Sequence, residues 1–182
     1  MTSWMTRAAM GARLAGAGLA LAASGAFAQA TTGVSDNLVA TKTDWSVFTE
    51  DTPKECWGVS SPKESVNTRD GKPVSVKRSD ILLFVTFRPG QAGGETSFTG
   101  GYPFAGGSKV QLNVDGTKFE LVADGEWAWA ASPEDDAKVL EALKKGGSAV
   151  LTARSAKGTQ TDDTFSLRGF TAAMTEAATR CK

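Results

Sequence analysis

The sequence predicts a mainly β protein, an antiparallel β-sandwich or partly closed barrel with one surface helix (about 133–145) and a C-terminal helix (about 171–180). Three observations carry that expectation. About nine short runs have strand composition and are separated by turn residues, the pattern of closed or layered all-β folds. Only two windows show helical period with end signals. The two cysteines, Cys56 and Cys181, stand near opposite ends of the mature chain, where a single bridge would fasten the extremities.

The first residues set the limits of the fold. Arg7 and Arg13 precede a short apolar run, Leu14 to Ala23, and Ala26-Phe27-Ala28 fits a small-x-small cleavage site. Residues 1–28 therefore read as a secretory signal peptide, and the run is too short for a spanning helix. The product is expected in the periplasm or outside the cell, with no transmembrane segment in the mature chain. Of 182 residues, removing 28 leaves 154, the size of one domain. Residues 29–43, rich in Thr and Ala, read as a flexible leader and 44–182 as a single β-rich domain. An exported chain with an even cysteine count predicts a Cys56–Cys181 disulfide.

Within the domain, "DWSVFTE" alternates Trp45 and Val47 against polar neighbours, and "CWGVS" follows. "DILLFVTF" is a continuous apolar run, the pattern of a central strand covered on both faces. A Gly-rich loop from Thr99 to Gly107 contains Tyr102-Pro103, a candidate cis bond, and Phe104. "KVQLNV", "TKFELV" and "EWAWAA" come next, then "SAVLTARS" and "TQTDDTFSLRGF". The surface helix has Ser132 as N-cap, Pro133 at its first position, and Glu134, Asp135 and Asp136 at its positive end. Lys144 and Lys145 suit its other end, and Gly146 stops it. In the last helix Ala173, Ala177 and Cys181 share a face, which would carry Cys181 inward towards Cys56.

Two turns fix the register of the middle strands. A two-residue turn at Asp115-Gly116 sets Val114 against Thr117, Leu112 against Phe119 and Val110 against Leu121, so apolar residues share one face. At Asp124-Gly125 a two-residue turn would put Trp127 and Trp129 on the polar face. A three-residue turn, Ala123-Asp124-Gly125, pairs Trp127 with Leu121 and Trp129 with Phe119. Because two exposed indoles leave a large apolar area in water, the core placement is the expectation. The alternative is a ligand platform.

Composition excludes more chemistry than it suggests. Without Arg7 and Arg13 the chain has 18 basic and 20 acidic residues, a net charge of −2, which argues against a nucleic-acid partner. There is no His, hence no usual general base, triad member or metal ligand. Bridged cysteines offer no thiol nucleophile. Ser60-Ser61-Pro62-Lys63 fits the Ser-x-x-Lys pattern of penicillin-recognising enzymes, but the Ser-Asp-Asn and Lys-Thr-Gly elements are missing. Asp162 and Asp163 are adjacent and would point to opposite faces of a strand. No calcium loop or phosphate cradle occurs, and no cofactor or metal is expected.

"DWSVFTEDTPKECWGVS", "ILLFVTFRPG" and "TARSAKGTQTDDTFSLRGFTAA" together resemble the invasion-associated locus B family of exported bacterial proteins, over roughly residues 44–181. Asp44-Trp45, the Cys56-Trp57 strand and Ser166-Leu167-Arg168-Gly169-Phe170 are its strongest elements. The resemblance implies a periplasmic or surface-associated protein, in some relatives linked to host-cell entry, without defined catalytic residues. The sequence departs from the commoner pattern in lacking a second, close-spaced cysteine pair. The leading expectation is a non-enzymatic binding or structural protein of the bacterial envelope, whose partner is an envelope or host protein. Candidate contact residues are Tyr102, Phe104 and Arg69. The alternative is a carbohydrate- or small-ligand-binding module using Trp127 and Trp129.

Overall fold

A computed structural model describes residues 37–182. The predicted signal peptide, residues 1–28, and residues 29–36 lie outside the described residues. From Leu38 onward the chain forms twelve strands and two helices. The first nine strands are β1 (Leu38–Lys42), β2 (Trp45–Asp51), β3 (Lys54–Ser60), β4 (Glu64–Arg69), β5 (Lys72–Pro73), β6 (Leu82–Phe87), β7 (Glu95–Thr99), β8 (Lys109–Val114) and β9 (Thr117–Asp124). Then come β10 (Trp127–Ala130), α1 (Pro133–Lys145), β11 (Ser148–Arg154), β12 (Gln160–Ser166) and α2 (Phe170–Arg180). Residues 38–42, expected in the loose leader, instead form the edge strand β1 against β2.

All strands join one antiparallel sheet in the order β1-β2-β3-β6-β7-β10-β9-β8-β11-β12-β4-β5. Seven steps separate β3 from β12, about 34 Å in a flat sheet at normal strand spacing. Yet Lys63 N donates to Thr164 O at 2.7 Å, and Asp44 N donates to Arg168 O at 3.2 Å. Trp45 Nε1 donates to Ser166 O at 3.0 Å. The sheet must therefore curl until its β2–β3 corner reaches β12. It remains open, with β1 and β5 as its edges.

The core fills the concave face of this curl. Phe98 on β7 meets Phe165 on β12 edge-on at 6.2 Å, five strands apart in the sheet. The Asp115-Gly116 hairpin has the expected register, with Val114 opposite Thr117, Leu112 opposite Phe119 and Val110 opposite Leu121. Both turn residues have positive φ (46° and 98°), as a two-residue hairpin of this hand requires.

Both helices also pack on the concave face. In α1, Ser132 Oγ accepts from Asp135 N, Pro133 opens the first turn, and Val139, Leu140 and Leu143 are buried. Asp136 accepts the Thr96 N–H at 2.7 Å, which ties α1 to β7. Burial pushes the Asp136 carboxyl above its ordinary range. In α2, Ala173, Met174 and Ala177 are buried. Met174 closes over Gly58, where an added Cβ would lie 2.1 Å from the Met174 methyl. The helix thereby delivers Cys181 to Cys56, and the predicted disulfide is present with Cα atoms 5.7 Å apart.

Three local expectations need correction. The cis peptide bond among the described residues is Thr52–Pro53, not Tyr102–Pro103. The run "DILLFVTF" is central, but β6 alternates: Leu83, Val85 and Phe87 are buried, while Leu82, Phe84 and Thr86 face outward and are half-buried. The third correction concerns the tryptophans. Trp127 pairs with Asp124 and Trp129 with Val122, so the turn is Gly125-Glu126, and the register lies two residues from the two-residue turn considered and three from the three-residue one. Ala128 takes the core position beside Phe98, and both indoles lie on the convex face.

Candidate binding surfaces

The convex face gathers aromatic residues from four strands. The cross-strand register puts Phe48 beside Trp57, and Phe84 on the same side as Ser97 and Trp129. Phe48 and Trp57 stack with centroids 5.7 Å apart and planes 9° apart. Trp127 and Trp129 stack at 6.4 Å and 22°. Phe84 leans against Trp127 at 5.6 Å. Trp127 is 39% exposed and the neighbouring Val122 48% exposed, values that mark an uncovered apolar surface. Neither helix reaches this face.

Between the two stacked pairs lies a groove of about 250 Å³, lined by Glu55, Trp57, Phe84, Thr86, Ser97 and Trp127. The Thr86 and Ser97 hydroxyls have no hydrogen-bond partner among the described residues. Arg88 holds the lining residue Glu55. Its Nε donates to Glu55 at 2.6 Å, and an Nη lies 3.3 Å from Glu95. The hydrogen bond to Glu55 is the main reason the Arg88 guanidinium binds its proton even more firmly than usual. The groove thus combines flat π surfaces with hydroxyls and a positioned carboxylate.

The other predicted contact residues lie on the concave side. Phe104 is buried against Phe98 and Tyr102, and so belongs to the core. Tyr102 is half-buried, its hydroxyl bonded to Thr161. Burial raises the Tyr102 phenol above its ordinary value and keeps it protonated. Arg69 is exposed at the end of β4 and donates to Thr159 Oγ1 at 2.7 Å. Tyr102 and Arg69 line a common cleft of about 540 Å³, and neither Trp127 nor Trp129 lines it. Sequence reasoning offers Tyr102, Phe104 and Arg69 as one set of candidates and Trp127 and Trp129 as another. It missed Phe48, Trp57, Phe84 and Glu55, although each alternates with a core residue in its strand.

No catalytic pairing forms at the Ser-x-x-Lys segment. Ser60 Oγ donates to the Asp44 carbonyl at 2.7 Å, and Lys63 Nζ pairs with the Asp44 carboxylate at 2.7 Å. Ser60 and Lys63 thus serve the corner that joins β2 to β12. Asp162 and Asp163 point to opposite faces, as expected: Asp163 is fully buried with Arg78, and Asp162 accepts from Thr152 on the other side. Among the described residues, no three Cys, Asp or Glu side chains converge on a point that could hold a metal ion. No helix among them is long and apolar enough to cross a membrane.

Comparison with known proteins then decides the family. The sequence profile described as "Invasion associated locus B (IalB) protein" matches residues 45–178, most of the chain. The chain belongs to the invasion associated locus B family. The crystal structure of invasion associated protein b from Bartonella henselae is similar in fold, with a TM-score of 0.54 at 19% identity. The match covers 78% of this chain and 96% of that one. No curated protein sequence matches significantly. The matched region of the locus B profile contains Trp45, Cys56, Trp57, both stacked aromatic pairs and most of α2.

Proposed function

We propose that this locus B protein is an exported, non-catalytic binding protein of the bacterial envelope, and that it holds a saccharide chain in its convex aromatic groove. The carrying observation is the pair of stacked ring sets, Phe48–Trp57 and Trp127–Trp129, on a sheet face that neither helix covers. Sugar rings present flat C–H faces that suit the electron-rich face of an indole. Their edges carry hydroxyls. Glu55, Thr86 and Ser97 stand beside the rings to meet them. A purely apolar protein partner would leave those polar groups dehydrated without compensation, which is unfavourable. Ligand sites of this kind join apolar walls to a few polar groups that fix orientation.

A non-catalytic role agrees with the chemistry available. The chain has no His, its two cysteines are bridged, and Ser60 and Lys63 are both engaged by Asp44. The signal-like leader and the disulfide support a periplasmic or cell-surface location. The name of the family links it to invasion, so a host surface is one setting for such binding.

Titration with chito-oligosaccharides, cello-oligosaccharides and soluble peptidoglycan fragments, followed by Trp fluorescence, tests the proposal. At least one series should quench saturably, and Trp127→Ala should abolish the response. A flat response to every series would rule the groove out as a saccharide site.

A further inference from the structure

The cleft on the concave side has a different chemistry from the groove. Four separate segments build it: the end of β4 with Arg69, the irregular stretch from Ser75 to Arg78, the Tyr102-Pro103 segment, and the β11–β12 turn with Lys157. Arg69, Lys77, Arg78 and Lys157 all line it, and no Asp or Glu does. Some surface lysines, such as Lys42, Lys54, Lys63, Lys109 and Lys145, sit against a carboxylate, while others, such as Lys72, Lys118 and Lys144, have none among the described residues. Here the exposed cations have none among the described residues.

Arg78 is the foundation of this cleft. Its guanidinium grips the fully buried Asp163 through two bonds of 2.8 and 2.5 Å. Its Nε donates to Gly100 O at 2.8 Å, and it stacks 5.0 Å over the Tyr102 ring. Arg78 is therefore committed inward and neutralised. Arg69 is not. Thr159 Oγ1 holds one corner of its guanidinium, and its remaining donors have no partner among the described residues. Thr159 is itself buried, so its hydroxyl gives the Arg69 guanidinium one anchored point of contact. Tyr102, a neutral phenol, adds no repulsion towards an anion.

We infer that this cleft is a phosphoryl-binding site, in which Arg69 supplies a forked contact and Lys77 and Lys157 supply charge. A planar guanidinium donates two parallel N–H bonds to phosphate oxygens, and lysine ammonium groups act as point charges around it. The ligand is a multiply charged phosphate, either free in solution or carried on a lipid headgroup. This site shares no lining residue with the aromatic groove, so it stands or falls independently of the saccharide reading.

Inorganic pyrophosphate, titrated against the mature protein with amide resonances as readout, tests it in solution. Vesicles of phosphatidylcholine with and without phosphatidic acid test the membrane source by co-sedimentation. Pyrophosphate is expected to shift residues 69, 77 and 155–159 saturably. Arg69→Gln should weaken binding about tenfold, the worth of a charge-assisted bond. Arg69→Lys should not restore it, and added salt should weaken the wild type. Retention on phosphatidic acid vesicles, competed by pyrophosphate, would assign the lipid source; pyrophosphate binding without retention would assign the soluble one. Absence of binding to both probes would overturn the inference. So would binding that neither Arg69→Gln nor Lys77→Gln changes, and both residues are exposed enough for those variants to fold.

Discussion

Removing the disulfide should be among the larger perturbations of this fold, and its size follows from the topology. Cys56 and Cys181 are separated by 125 residues, so the bridge closes a loop spanning nearly the whole described chain. The chain-entropy relation for a loop of that length gives about 5 kcal/mol of constraint on the unfolded state. Measured losses for native disulfides in secreted domains run from about 2 to about 5 kcal/mol. The double variant Cys56→Ala/Cys181→Ala avoids leaving a buried thiol, since both positions are buried. Urea unfolding followed by far-UV circular dichroism would measure the effect. With a slope of about 2 kcal/mol/M, the midpoint should fall by roughly 1–2.5 M. The slope itself should rise, because the uncrosslinked unfolded chain exposes more surface. A loss below about 1 kcal/mol would refute the reasoning. It would mean that Phe170, Ala173, Met174 and Ala177 hold α2 in place by packing alone.

Further outcomes follow from other contacts. Asp163→Asn leaves the Arg78 guanidinium buried without its countercharge and should destabilise by about 3–5 kcal/mol in thermal unfolding; replacing both partners with apolar residues should recover most of that. Gly169→Ala should cost more than about 1 kcal/mol in the same assay, because φ is 89° there and a Cβ would sit 1.9 Å from the Lys42 carbonyl oxygen. Asp44 and Asp115 should make stability fall in acid. Lys63 chiefly holds the Asp44 carboxyl below its ordinary 3.8, and the Gly147 N–H chiefly does so for Asp115. A carboxyl depressed in the folded state contributes fully above its unfolded pKa and loses that contribution as pH falls through the folded value. Unfolding midpoints measured below about pH 4 should therefore decline less steeply in Asp44→Asn/Asp115→Asn than in the wild type.

The sequence was most legible where neighbouring residues decide the outcome. Ser132-Pro133 and Gly146 bound α1 because caps act within one turn, and Asp115-Gly116 set its hairpin because only that register keeps Val110, Leu112 and Leu121 on one face. The Cys56–Cys181 pairing was readable because a single pair leaves no alternative. The tryptophan register was not readable, because the space available to it is decided by distant residues. Phe98, Phe104 and Phe165 already fill the concave side near β10, so the small Ala128 enters and the indoles turn outward. The Phe104 N–H bonded to Gly125 O helps fix that turn from outside the hairpin. The same limit applied to "DILLFVTF", whose apolar outer residues resemble a doubly covered strand until Trp57 and Trp127 are seen beside them. The cationic cleft depended on segments far apart in the chain, with Arg78 and Asp163 separated by 85 residues.

The central claim, that ligand recognition resides on the convex aromatic face, is tested most directly by the indole N–H resonances of the isotopically labelled mature protein. Addition of a binding oligosaccharide should shift Trp57, Trp127 and Trp129 together and leave Trp45, whose N–H is bonded to Ser166 O, unmoved. Saturable binding that leaves all three outward-facing indoles unchanged would contradict the account.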